Sequence, residues 1–405
     1  MIRLSALALA SASTTTALFG ATSFAPVSIA SSASPGALSS AAIPYVDKGD
    51  EQSALIAGLS QRGLHDMVVR EANDFLQRFR KHRRETAVRY RLAGAYFELG
   101  QTQEAFDQYR LLDRVDGFEQ AMEVKFRLGQ CALELGDHQA AVKSLQAVEA
   151  SSADYLKTPA IYLLGEALFR SGSFEPATKA YERVLARKDE SAAEYARDAR
   201  YGRTWSAWKG KQYDATVAAA QDFVAKHGAD PQAGELSFLA GEAHLEAGRP
   251  ADAIQWYGRV KAGEYAEVAL RGQAFAEVAQ GNSSAAAARF GKYLETFPQG
   301  KFAAECALQR GVQLVRAKEF APAVTALRSA PTVQDAQASY WLAMAEAGLG
   351  NHEGALSAAN AGLKKSPDEA LAVQLRIAAG DALFELERVG AAGRLVKRGG
   401  FPGAT

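Results

Sequence analysis

The sequence predicts an all-α solenoid of stacked helix–turn–helix units, and three observations predict it. Nine alanines fall in one register: Ala105, Ala141, Ala177, Ala215, Ala253, Ala286, Ala323, Ala355 and Ala392, spaced by 36, 36, 38, 38, 33, 37, 32 and 37 residues. Seven of them follow a glycine by five residues, at Gly100, Gly136, Gly172, Gly210, Gly248, Gly281 and Gly350, with Lys318 and Glu387 in the two remaining slots. Prolines, the third observation, avoid the interiors of the helices that this parse predicts. A period of this length marks units that bury their apolar faces only by stacking on neighbours. Binding rather than chemistry is then the expected function.

Within each period the first helix comes before the glycine. In Tyr90 to Leu99, the residues Leu92, Ala93, Tyr96 and Leu99 recur at three- and four-residue steps and share one helical face. Glycine ends that helix because it adopts a left-handed backbone without a Cβ clash. Thr102, Asp137, Ser173, Ser283 and Asn351 follow directly and are expected to cap the second helix. The alanine is small because the second helix crosses close over the first. Pro176, Pro250 and Pro322 fall in the first turn of a second helix, and Pro298 and Pro367 where one should stop. Pro159, Pro231 and Pro331 are expected between units, and the other four in the two tails.

Leu128-Gly129, then Leu135-Gly136-Asp137, then Ala141, Leu145 and Val148 resemble the tetratricopeptide (TPR) repeat. Leu164-Gly165, Gly172, Ala177, Tyr181 and Val184 repeat the pattern, as do Gly241, Gly248, Ala253, Tyr257 and Val260. The resemblance covers residues 51–397 as about nine repeats and one degenerate opening unit with Val68 in the alanine slot. Two departures stand out: repeat four places Arg203 where a small residue belongs, and the last repeat lacks its turn glycine. The resemblance implies a right-handed superhelical solenoid whose inner surface is lined by first helices and receives a protein or peptide. Carried onto this chain, the inner positions hold Tyr90, Phe97, Phe126, Tyr162, Phe169, Phe238, Phe275 and Tyr340. Residues Phe290 to Gly311, with Phe75 to Gly100 in the same cadence, resemble exported bacterial cell-envelope TPR proteins. That class includes the Tol-Pal periplasmic coordinator and the outer-membrane-protein assembly lipoproteins. The coiled coil of the former and the lipoprotein cysteine of the latter have no counterpart here, so only the class is carried over.

Residues 1–30 read as a secretory signal, with Arg3, an apolar run from Leu4, and cleavage patterns at Ser28-Ile29-Ala30 and Ser31-Ser32-Ala33. Residues 31–50 read as a flexible Ser/Ala-rich leader and 398–405 as a disordered tail. No other apolar run is long enough for a membrane anchor. The periplasm or the exterior is the expected location.

The 46 basic and 46 acidic residues balance, so no general field attracts nucleic acid or membrane. Cys131 and Cys306 lie too many units apart to pair and read as small hydrophobes. The six histidines lack helical metal-site spacing, no phosphate-binding loop or nucleophile elbow occurs, and no catalytic, metal or cofactor residue is assigned. The run from Arg78 to Arg84 reads as solvated cations at a junction, with an acidic partner or lipid head groups as the alternative. In repeat four, Arg197, Arg200 and Arg203 are spaced by three beside Tyr201, Trp205 and Trp208. That grouping suits a carboxylate, a phosphate or a sugar, or else is neutralised by neighbouring acids around a tryptophan core. Arg197, Arg200, Arg203 and Trp208 therefore join the aromatic positions as candidate partner contacts.

These readings converge on an exported, non-enzymatic scaffold binding protein partners. The alternative is a scaffold associated with a glycan or polymer, as in exopolysaccharide export or peptidoglycan organisation. N-terminal sequencing of the mature chain should find cleavage after Ala30 or Ala33. Recovery of Met1 on a cytoplasmic protein would contradict export.

Overall fold

The computed structural model describes residues 47–329 and 335–398. The signal, most of the leader, Pro331 and the tail prolines lie outside these residues. Nineteen helices and no strand occur among the described residues. The first hairpins pair α1 (Lys48–Gln61) with α2 (His65–Arg78), α3 (Glu85–Glu98) with α4 (Thr102–Leu112), and α5 (Ala121–Glu134) with α6 (His138–Glu149). Next come α7 (Asp154–Arg170) with α8 (Phe174–Ala186), α9 (Glu190–Lys209) with α10 (Tyr213–His227), and α11 (Gln232–Glu246) with α12 (Pro250–Tyr257). The last are α13 (Ala266–Ala279) with α14 (Ser283–Thr296), α15 (Ala303–Arg316) with α16 (Phe320–Ser329), and α17 (Ala336–Gly348) with α18 (His352–Leu363). A closing helix of 30 residues, α19 (Glu369–Arg398), follows. Each helix packs on the next in sequence. First helices also touch the first helix of the following unit, as in α5–α7, α7–α9, α9–α11 and α11–α13. This is the expected solenoid.

The turn chemistry is local. At Gly100 (φ 72°) the Gly100 N–H donates to Phe97 O at 3.0 Å and the Gln101 N–H to Tyr96 O at 2.9 Å. These two bonds satisfy carbonyls that the helix end would otherwise orphan. The alanines at 105, 141, 177, 253, 286 and 323 are then fully buried. The opening unit follows the same rule, with Gly63 left-handed and Val68 fully buried five residues later. Cys131 and Cys306 are buried free thiols, and burial pushes both up to about 12. They are the small hydrophobes the sequence suggests.

Repeat four corrects the sequence register by one residue. Gly210 has φ −77°, and the left-handed residue is Lys211 at φ 57°. Lys211 N–H donates to Trp208 O and Gln212 N–H to Ala207 O, each at 2.9 Å, the same pair of bonds as at Gly100. The buried slot five residues on is therefore Thr216, fully buried, while Ala215 is exposed. The small first-helix position becomes Thr204, also fully buried, rather than Arg203.

Other expectations are also corrected. α19 runs through Glu387 without a turn, so Ala392 lies in that same helix and closes no ninth repeat. Of the five proposed caps, Asp137 accepts from the Ala140 N–H at 3.0 Å and Asn351 from the Gly354 N–H at 3.1 Å. Thr102 and Ser283 are instead the first residues of their helices, and Ser173 makes no side-chain cap bond. Pro159 lies inside α7, which starts earlier than its proline suggested. Proline lacks only its own N–H and keeps a helical φ, so the helix continues past it at the cost of a bond. α1 already starts at Lys48, inside the expected leader, and Asp50 pairs with Arg83 and Arg84. The basic run is thus partly engaged by the opening helix.

The shifted register is testable. Thr216→Leu should cost about 1–3 kcal/mol by overpacking, whereas Ala215→Leu should cost less than about 0.5 kcal/mol as a surface change. Thermal melts of the two variants compare them, and equal losses would restore the Gly210 register.

Candidate partner-binding surface

Ten residues before the left-handed turn residue, the five successive first helices α3 to α11, and again α17, carry an aromatic ring, while α13 and α15 hold Arg271 and Leu308 there. The rings are Tyr90, Phe126, Tyr162, Tyr201, Phe238 and Tyr340. Seven residues further on, two helical turns along the same face, stand Phe97, Phe169 and Trp208. Tyr201 enters this column only with the Lys211 register, which is why the sequence count from Gly210 missed it. All of these rings are half-buried.

Their buried sides lock neighbouring units. Tyr162 lies 5.0 Å from Tyr195 of α9 and 6.1 Å from Tyr181 of α8, ring centre to centre. Phe238 lies 5.6 Å from Tyr265, just ahead of α13, and 5.7 Å from Tyr257 of α12. Tyr90 meets Phe118 at 5.8 Å and Tyr109 at 6.4 Å. Phe126 packs against the cluster that contains Leu133 and Leu163. The second position is less enclosed by rings. Phe97 lies 4.8 Å under the Arg127 guanidinium, Phe169 5.7 Å from Phe174, and Trp208 6.0 Å from Tyr213. Tyr162 and Phe238 thus meet rings of the following unit, whereas Phe169 and Trp208 meet rings of their own hairpin.

Carboxylates lie between these rings. Glu235, 9% exposed, accepts from the Tyr201 hydroxyl and the Tyr265 hydroxyl, each at 3.1 Å. Burial pushes its carboxyl above the ordinary value. Tyr181 donates to Glu166 at 2.5 Å, and Tyr257 donates to Glu242, whose carboxyl burial also pushes up.

The three arginines of repeat four do not form one stripe. Arg197 reaches the α10–α11 junction, bonding Asp230 at 3.0 Å and Gln232 at 2.6 Å, and also Asp198. Arg200 and Arg203 turn to Asp222 of α10 at 3.1 and 2.9 Å. The ring beneath Arg197 is Phe223, and the cation over Trp205 is Lys209. Tyr201, Trp205 and Trp208 pack against the cluster of Phe223, Leu236 and Trp256. Acids thus pair with all three arginines, and Trp205 and Trp208 stay half-buried at the edge of that cluster. No helix among the described residues is long and apolar enough to cross a membrane.

The tetratricopeptide-repeat family matches residues 90–155, 201–267 and 308–370. Among solved structures, the chain is similar to the C-terminal part of a TPR repeat-containing protein from Cytophaga hutchinsonii, at 15% identity. That match covers 71% of this chain and 99% of the other, with a TM-score of 0.45. A tetratricopeptide repeat protein from Parabacteroides merdae matches at 15% identity over 64% and 99% of the two chains, TM-score 0.36. MamA matches at 18% identity over 44% and 91%, TM-score 0.37. No curated protein matches the sequence.

Glu235 gives this surface a pH signature. Its folded value is raised, so the native chain holds the proton more tightly than the unfolded chain does. The stability it contributes is full below about 4.5 and is lost as pH rises through the raised value. Glu235→Gln keeps an acceptor for both tyrosines and should remove that slope. Melts at pH 4.5 and pH 7 should show the variant gaining on the parent toward neutrality, and a relative loss at pH 7 would contradict the assignment.

Proposed function

This chain is a tetratricopeptide-repeat protein, and we propose that it is an exported scaffold of the periplasm or cell envelope that acts by binding rather than catalysis. Partner proteins or peptides lie along its first helices. The observation that carries the reading is the aromatic column repeated in register on consecutive first helices. Its rings keep one edge available after joining the units. A repeated apolar edge offers an extended peptide many similar contacts, each weak alone, across several units. Export rests on the signal-like residues 1–30, and the envelope assignment on the resemblance of Phe290 to Gly311 to that class.

Because Tyr162 is held between Tyr181 and Tyr195, polar replacement there should loosen α7 against α9 and report packing rather than binding. Phe169 and Trp208 separate the two effects. The double variant Phe169→Ala, Trp208→Ala should keep its helical circular dichroism yet capture at least tenfold less protein from an envelope extract than the parent. Undiminished capture would remove the surface from the proposal, and capture of glycan instead of protein would favour a polymer scaffold.

A further inference from the structure

Outside the aromatic column, a cleft of about 380 Å³ opens between the second helices α8 and α10, over α9. Its room comes from α10, which presents Ala215, Ala218 and Ala219 at three- and four-residue steps, followed by Asp222 and Lys226 on the next turns. The one-residue register shift brings Ala215 here: with Thr216 in the packed slot, Ala215 is exposed and lines the cleft.

The charges in this cleft are unequal. Asp222 Oδ2 accepts from Arg200 Nε at 3.1 Å and from Arg203 Nη2 at 2.9 Å, and its Oδ1 from Lys226 Nζ at 2.8 Å. Three cations share this one carboxylate. Glu182 is the only other acid of the lining, so a single positive charge is in surplus. The two arginines are largely enclosed, with side chains 14% and 19% exposed, against 51% for Lys226. Arg203 also stands eight residues before its turn, where the preceding hairpins bury Leu92, Leu128 and Leu164. Its Nε is buried without a hydrogen-bond acceptor. A guanidinium at an apolar packing place, crowded against a second one on a saturated carboxylate, weakens the fold more than leucine would.

We propose that this cleft receives one carboxylate from an acidic side chain of a bound protein, held by Arg200 and Arg203 beside Asp222. The inference rests on the scaffold reading and adds a charged contact to it on a different face. A carboxylate brings the one negative charge that the surplus requires, and the planar guanidinium fork matches it in two hydrogen bonds. A phosphate dianion would overcompensate. Lys226, more exposed, attracts the acid before contact.

The test uses the full chain and a neutral Gly/Ser peptide carrying one glutamate, with the glutamine peptide, acetate and phosphate as comparisons. The readout is the Nε–Hε resonances of Arg200 and Arg203. The glutamate peptide, and acetate more weakly, should shift both signals, with an affinity that falls as salt rises, while the glutamine peptide leaves them in place. Arg203→Leu, which installs the side chain found at this place in three preceding hairpins, and Ala215→Leu, which fills the cleft without changing charge, should each weaken binding at least tenfold. Absence of a shift with the glutamate peptide, binding unaffected by both variants, or phosphate binding as tightly as acetate would overturn the proposal. Capture through Phe169 and Trp208 is measured on a different face with a different ligand, so failure of either experiment leaves the other standing.

Discussion

The close crossing of the two helices in each hairpin sets everything else in this protein. In four hairpins the residue seven before the turn is a glycine with no room for a Cβ, and in four others it is Ala93, Thr204, Ala274 or Ala343. One added at Gly129 would sit 2.6 Å from Leu145, at Gly165 2.8 Å from Tyr181, at Gly241 2.6 Å from Tyr257, and at Gly311 2.3 Å from Leu327. Each of those larger side chains lies nine residues after its turn. The left-handed turn residue fixes both distances at once, because it alone decides which faces of the helices meet. Alanine, or Thr216, five residues after the turn completes the approach from the other side.

The same large side chain also joins one hairpin to the next. Tyr181 fills the space above Gly202 of α9, where a Cβ would come within 2.6 Å, and Tyr257 does so above Gly272 of α13, at 2.8 Å. One ring is therefore packed between two glycines from successive first helices, with its hydroxyl satisfied by Glu166 or Glu242. The apolar interior accordingly divides into small clusters along the chain, each drawn from adjacent units. Stability in such an arrangement is a sum over hairpins and their nearest interfaces. A fault in one unit is borne by its neighbours and does not spread through a common core.

Much of this was legible in the sequence because the constraint recurs. A single alanine or glycine says little, but the two held five residues apart through most of the chain can only describe the crossing. Reading failed where the backbone state had another owner. Lys211 adopts the left-handed turn beside a glycine that does not, and residue type gives no sign of the exchange. Lys318 is also left-handed, at φ 60°, but no glycine neighbours it, and Ala323 five residues on is fully buried as the alanine register expects. At Glu387 an alanine in register was not enough, since the helix had no residue there to end it. The aromatic positions were legible as a face, because seven residues make two turns. Their partners were not: Tyr195 and Tyr265 come from the following unit, and spacing within one helix carries no information about them.

Repeat four shows what the solenoid does with such an exchange. Moving the left-handed state from Gly210 to Lys211 rotates both helices of the hairpin by one residue relative to the sequence pattern. Thr204 and Thr216 then take the two tight positions, each returning its hydroxyl to a carbonyl four residues back, of Arg200 and Gln212. Threonine can fill an alanine's place only because that bond satisfies its oxygen without a partner from elsewhere. Of the residues displaced from the tight positions, Ala215 becomes exposed and Arg203 lies largely enclosed beside Asp222, both lining the cleft between the second helices. Charge accumulates there without breaking the hairpin, because the crossing itself depends on Thr204, Thr216 and Ala220, all fully buried. The fold thus separates the positions that hold it together from those that are free to carry recognition.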